Sequence, residues 1–269
     1  MADDPIPAIA EAEATGETAA IFADIRAAYG VGAVNLIWRH LATIPDALPW
    51  AWEAIRPLYV DGTIAREAAA FRSGLQPPAL PPVPPEIWAA LGLSPGDLTR
   101  IRGVLAAYDR TNSMALIALS ALSADAGRAP RTVLAALHGD RENFVELPAL
   151  TPLNAMPPHV AALVTRLNGL GATGEKPILA SMYRHLSHWP PYLALAWAAL
   201  VSVDASGALD AAIAATSDQA KSVAASVPMA AGSPPPGARE AIAPFIGNVL
   251  PKMVAICGML RAMDTGLDA

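Results

Sequence analysis

The sequence predicts an all-α protein, internally duplicated, whose helical repeats pack about a pseudo-two-fold with a central pocket. Three observations predict it. The stretch "WRHLATIPDALPWAW" from Trp38 returns as "YRHLSHWPPYLALAW" from Tyr183. The periodic segments are dominated by Ala, Leu, Met, Arg and Glu, with Val and Ile single at helical spacing and no alternating strand pattern. The same order of features also surrounds each copy.

At a constant offset of 145, Trp38 to Ile55 and Tyr183 to Leu200 share eight identities in 18 positions, among them Arg39/Arg184, His40/His185, Pro45/Pro190 and Trp52/Trp197. Chance would supply roughly one or two. In chain order, "ETAAIFADIRAAYG" reads as an amphipathic helix, followed by the Trp38 copy and a further helix. Seven prolines between Pro77 and Pro95 then form a stiff connector, and "RIRGVLAAYDRTNSMALIALSAL" is a long apolar helix. The second half runs through "PPHVAALVTRLNGLG", the Tyr183 copy, a helix, the Pro-rich "VPMAAGSPPPGA" and a final apolar helix. The organisation is therefore a first repeat over 16–124, a connector with one short helix over 125–156, and a second repeat over 157–266, forming one pseudo-dimeric domain.

A hydrophobic share of 54% over 269 residues is enough for a packed core. The formal charge of −6 and 18 scattered Lys and Arg residues leave no basic stripe for a phosphate backbone, so nucleic acid is not an expected partner. The apolar run from Trp189 to Val203 falls short of the roughly 20 residues that span a bilayer, so no membrane association is expected. The acidic start "MADDPIPAIAEAEATGE" lacks the pattern of an export signal, and a lone Cys257 fits a reducing compartment, so a cytoplasmic location is expected. Cys257 reads as a packing residue rather than a nucleophile.

Several catalytic patterns are absent. "GLGATGEKP" is a turn, since Gly174 and Lys176 are not adjacent and no Ser or Thr follows the lysine. There is no GxSxG elbow and no HExxH, and His138 with Asp140 falls in a polar connector.

"GETAAIFADIRAAYGVGAVNLIWRHLATIPDALPWAW", "RIRGVLAAYDRTNSMALIALSAL" and "ILASMYRHLSHWP", in this order over most of the chain, resemble the group I 2-haloacid dehalogenases. The resemblance implies a metal-free, cofactor-free hydrolase acting on carbon–halogen bonds. In that family an aspartate of the second repeat activates water, which displaces halide from C2 of a short 2-halocarboxylic acid with inversion. The family asparagine that holds the water falls on Asn112, which also reads as a helix-start cap.

The serine preceding the family aspartate falls on Ser181, and the aspartate itself on Met182, or on Ala180 if the alignment slips by two. Neither Met nor Ala accepts a proton, so dehalogenation is expected to be weak, altered or lost. A family tryptophan falls on Ala33, a phenylalanine on Leu36 and a late aromatic near Phe245. With Asn35 and Ser113, these positions complete the substrate-lining set that the resemblance implies.

His40 follows Leu36 by four residues and His185 follows Ser181 by four, so on helices each shares a face with the site positions. Each is read either as a base near neutral pH or as a core histidine, with His185 the catalytic candidate beside Asn112. His40 and Asp109 are the alternative bases. Arg39 and Arg184 are expected to point elsewhere, toward helix C-termini or acidic partners. The expected partner is a small carboxylic acid, with homodimerisation an open alternative. A binding protein, or a helical interaction protein in which Trp50, Trp52, Trp189 and Trp197 are simply core, is the alternative to an enzyme.

Overall fold

The computed structural model describes residues 6–124, 145–174, 176–229 and 232–263. Twelve α-helices build the described chain: α1 Gly16–Tyr29, α2 Leu36–Leu41, α3 Ala47–Val60, α4 Thr63–Gly74, α5 Pro85–Ala90 and α6 Pro95–Ser123, then α7 Pro158–Gly169, α8 Ser181–Leu186, α9 Pro190–Ala205, α10 Ala208–Ala224, α11 Ala238–Pro244 and α12 Leu250–Ala262. Extended pairing among the described residues is one isolated bridge, Val31 to Val145. The all-α expectation is met. The short helix expected in the connector, and His138 and Asp140, lie outside the described residues.

Helix starts follow the proline positions. Pro85, Pro95, Pro158 and Pro190 each occupy the first helical position, where a missing N–H costs nothing. Ser94 and Asp97 close a reciprocal capping box on α6. Pro251 has a different effect, because it cannot donate to the carbonyl one turn earlier. The backbone widens there into a π turn, Phe245–Val249, that joins α11 to α12.

α6 and α12 meet at the centre. Every residue of α6 from Thr111 to Leu122 is buried, as is every residue of α12 from Leu250 to Cys257, the all-round apolarity of core helices. The α11–α12 run, Ala238–Ala262, has the length and apolarity of a bilayer span, yet most of it is buried inside the fold. α6 and α12 pack on each other, α4 packs on α6, and α10 packs on both.

Two core clusters result, and neither belongs to one half. Residues from Leu98 to Tyr108 of α6 sit with α7–α9, whereas Met114 to Leu122 sit with α1–α4. Conversely, Leu250 and Val254 of α12 join the first cluster, and Ile256 to Leu260 the second. Each half thus completes its core with the last helix of the other, so neither could bury its apolar faces alone.

The turn after α7 fixes the entry to α8. Gly171 adopts φ +57, and a Cβ there would lie 2.5 Å from Ile213 Cδ1 and 3.1 Å from Leu209, both on α10. Gly174 also has positive φ but meets nothing within 4 Å. Gly171→Ala is therefore expected to lower the unfolding free energy by roughly 2–4 kcal/mol, adding overpacking to left-handed strain, and Gly174→Ala by only about 1 kcal/mol. Urea titration of both variants checks this; equal losses would show that the packing against α10 is not limiting.

Candidate active site

Asn168, near the end of α7, sets the position of α8. Its Nδ2 donates to the Ile178 carbonyl at 3.2 Å and its Oδ1 accepts from the Ala180 N–H at 3.0 Å, while its own carbonyl takes the buried Lys252 Nζ at 2.8 Å. This clamp delivers Ser181 and Met182 to the first turn of α8. Across the molecule, the short α2 places Asn35, Leu36 and Ile37 opposite them.

A small, partly open cavity of about 30 Å³ lies between these helix starts and the α6–α12 pair. It is lined by Asn35, Leu36, Ile37, Tyr108, Asn112, Ala180, Ser181, Met182, Phe245, Val249, Leu250 and Met253. Four pairs among them are 145 residues apart: Asn35/Ala180, Leu36/Ser181, Ile37/Met182 and Tyr108/Met253. The volume is roughly that of one water, so a three-carbon acid enters only as the flexible Met182 and Met253 side chains give way.

The polar wall is a connected set of hydrogen bonds. Asn35 Nδ2 donates to Asn112 Oδ1 at 2.8 Å. Arg39 Nη2 donates to Ser181 Oγ at 3.1 Å, and the Tyr108 hydroxyl lies 2.8 Å from His185 Nδ1 and also bonds Ser181. Met182 is fully buried, and its Sδ accepts from the Cys257 thiol at 3.2 Å. Burial pushes the Cys257 thiol well above its ordinary range, so it stays protonated as a packing group.

Two arginines, Arg39 and Arg184, act on the groups of this wall. Burial holds the Tyr108 hydroxyl protonated, with Arg39 and Arg184 acting in the opposite direction. His185 is lowered to about 4, first by burial and then by Arg184, His188 and Arg39. It is a neutral imidazole at pH 7 and titrates where an aqueous carboxylate would. Titration of the His185 ring followed by NMR is expected to show a midpoint near pH 4 and no inflection near 6.5. Because the unfolded chain takes up that proton first, His185 contributes stability above about pH 6.5 that is lost as the pH falls toward 4.

Asn35, Leu36, Asn112, Ala180, Ser181, Met182 and Phe245 thus share one cavity, with His185 directly behind Tyr108. Four other candidates lie elsewhere. Ala33 lines a smaller adjoining cleft beyond Asn35 and Tyr108. Ser113 is fully buried and its hydroxyl bonds back to the Asp109 carbonyl at 2.7 Å within α6.

Asp109 faces another cleft, where it pairs with Arg261 and with Arg72 at 3.4 Å; burial nevertheless raises its carboxyl above the usual value. His40 is half-buried, with Nδ1 2.7 Å from the Pro7 carbonyl and its ring 6.1 Å from Phe245. The segment before α1, held by Ile9 N–H on the Arg39 carbonyl, covers His40 and draws it away from the cavity.

Arg39 departs from the expectation that both arginines point away from the site. Both are buried, Arg39 reaching across to Ser181 and Arg184 Nε donating to the Thr151 carbonyl at 3.0 Å. The six-residue α2 and α8 are enclosed on nearly all sides, so their arginines are held inside the fold rather than at its surface. Ile37, Tyr108, Val249, Leu250 and Met253 are lining residues that sequence reasoning missed. Tyr108 precedes Asn112 by four on one helix face, and Met253 follows Tyr108 by 145, so face and offset together carried a signal for both.

An all-α protein with a small cavity between two short helix starts, one wall polar and the other apolar, is the class that fold and site define. No family model matches the chain. Over 121 residues it is 32% identical to the 2-haloacid dehalogenase, configuration-inverting, of Alcaligenes xylosoxydans xylosoxydans; the match spans 44% of this chain and 40% of that relative. Solved structures of D-2-haloacid dehalogenase mutants, the first of them in complex with D-2-CPA, superpose with TM-scores of 0.76 and 0.77 at 17% identity, covering 98% of this chain and 96% and 97% of theirs. The complex with L-LA gives 0.74 over the same share of this chain. The chain has the fold of the D-2-haloacid dehalogenases, and its resemblance to the 2-haloacid dehalogenase family is borne out.

Proposed function

We propose that the cavity takes a short carboxylic acid of the 2-halo class and that the protein releases halide from it slowly. The observation that carries this reading is a small cavity with a polar wall (Asn35, Asn112, Ser181, Tyr108) against an apolar one (Ile37, Met182, Phe245, Met253), with Arg39 and Arg184 nearby and no carboxylate among its described lining residues. Guanidiniums so placed favour an anion, and the described lining offers water no strong base. The Asn112 oxygen accepts from Asn35, so the donor end of its amide remains for a ligand.

Residual turnover would run through Tyr108. Water gives a proton to the Tyr108 oxygen as Tyr108 passes its own to His185 Nδ1; the water oxygen bonds C2, and the C2–halogen electron pair leaves with halide, inverting the carbon. The cost is an imidazolium formed beside two guanidiniums, which makes the base weak. No metal or cofactor takes part in this scheme. We also propose that the halves are a duplication about a pseudo-two-fold, on the support of α2 and α8, and α4 and α10, each starting 145 residues apart and of the four matched lining pairs.

The test is calorimetric titration with 2-chloropropionate together with halide release from 2-chloro and 2-bromo acids. Saturable binding with slow release that His185→Ala abolishes is the expected result. Fast release that survives His185→Ala would remove the Tyr108–His185 route, and absence of binding would remove the carboxylate reading.

A further inference from the structure

A second, much larger cleft opens on another face of the α6–α12 pair, where α4 and α10 pack against it. Its volume is about 640 Å³, within the range of ligand pockets, and its walls are mostly small and apolar: Ala69, Ala212, Ala215, Val254 and Gly258, with Pro77 at one side. The charged groups gather at its base. Asp109, 5% exposed, pairs with Arg261 and lies 3.4 Å from Arg72 Nε, so two guanidiniums serve one carboxylate.

A single arginine would neutralise Asp109, and the second leaves a surplus positive charge. Among the described residues, no second acid pairs with these two arginines. The charged group on Arg72 besides those of Asp109 and Arg261 is another cation, Arg110, and the shielded Arg72 Nη1 has no hydrogen-bond acceptor among the described residues. Arg261 remains half-exposed at the mouth. Asp109 holds both guanidiniums at the cleft, and the half-exposed Arg261 keeps N–H groups open to a planar, bidentate acceptor.

We propose that this cleft is a second binding site, separate from the small cavity, for an organic carboxylate with an apolar body: the carboxylate on Arg72 and Arg261, the chain along Ala69, Ala212, Ala215 and Val254. The site is independent of the dehalogenase reading, because it shares no lining residue with the small cavity. Its size is unsuited to a three-carbon acid, and its alanine walls match a chain of several methylenes.

Calorimetric titration of the full chain with sodium octanoate tests it, with acetate and inorganic phosphate as comparison arms. Octanoate is expected to bind at one site, acetate at least tenfold more weakly because it lacks the apolar body, and phosphate no better than acetate. Arg72→Met should weaken octanoate at least tenfold. Ala215 is an exposed position of α10, so Ala215→Trp fills the cleft without disturbing the core, and it should weaken octanoate equally while circular dichroism stays unchanged. Absence of saturable octanoate binding, or octanoate binding that survives Ala215→Trp, overturns the site; phosphate binding as tightly as octanoate overturns the ligand class.

Discussion

Met182→Asp is expected to raise halide release from 2-chloropropionate by roughly 10² to 10⁴, the contribution that a positioned base typically makes. Met and Asp carry the same number of side-chain heavy atoms, so the carboxylate fits the space that the thioether fills in the first turn of α8, beside Ser181 and across the cavity from Asn112. Full burial there would raise the carboxyl above its aqueous value, making it a better base, while Arg39 on the neighbouring Ser181 opposes that rise and keeps it ionised near neutrality. The same burial has a cost. A carboxylate in place of a thioether at this depth should lower stability by about 2–4 kcal/mol, so activity is read below the new unfolding midpoint. Met182→Asn carries similar volume without the base and should show no gain. A folded Met182→Asp protein that binds 2-chloropropionate and releases no more halide than Met182→Asn would mean that the water is held elsewhere.

How much of this was readable in the sequence depends on the range of the interaction. The short helices were, because proline and the recurring Arg-His-Leu act within a turn or two: α2 and α8 begin at Leu36 and Ser181, 145 residues apart, and end at Leu41 and Leu186, again 145 apart. The gathering of Asn35, Asn112, Ser181 and Met182 was readable through family resemblance alone, since nothing local tells α6 that its Asn112 will meet α2 and α8. For Tyr108 the signal was only its place four before Asn112 and 145 before Met253, since an aromatic on an amphipathic helix has the same spacing whether it packs a core or walls a cavity.

The histidines show the limit of the repeat itself. His40 and His185 are equivalent in sequence, yet the Pro7 carbonyl takes one and the Tyr108 hydroxyl the other. The difference comes from a segment outside the repeat. Likewise, the ion cluster of Arg72, Asp109 and Arg261 joins three helices far apart in the chain, and no periodicity links them.

Trp38→Ala is expected to have the largest effect on stability, about 3–5 kcal/mol, the range for emptying a fully buried Trp site. Trp38 holds α2 in place. Its ring meets Trp52 edge-on at 5.9 Å, and its Nε1 donates to the Tyr29 hydroxyl at 2.8 Å; Tyr29 in turn packs on Tyr59 at 5.4 Å. Removing the indole leaves a void amid three aromatic rings and deprives Tyr29 of its donor, while the neighbouring Asn35 and Ile37 lose the anchor that points them at the cavity. The matched position in the second half is Tyr183, equally buried, whose hydroxyl has no partner among the described residues. Deleting that hydroxyl removes a desolvated polar group and leaves the ring in place, so Tyr183→Phe should be neutral or stabilise by about 1 kcal/mol. Urea unfolding followed by Trp fluorescence and circular dichroism compares the two. A midpoint for Trp38→Ala within 1 kcal/mol of the parent would show that α2 is held by its other contacts. A loss of more than 1 kcal/mol for Tyr183→Phe would show that its hydroxyl is bonded in solution, through water, to a group behind α8.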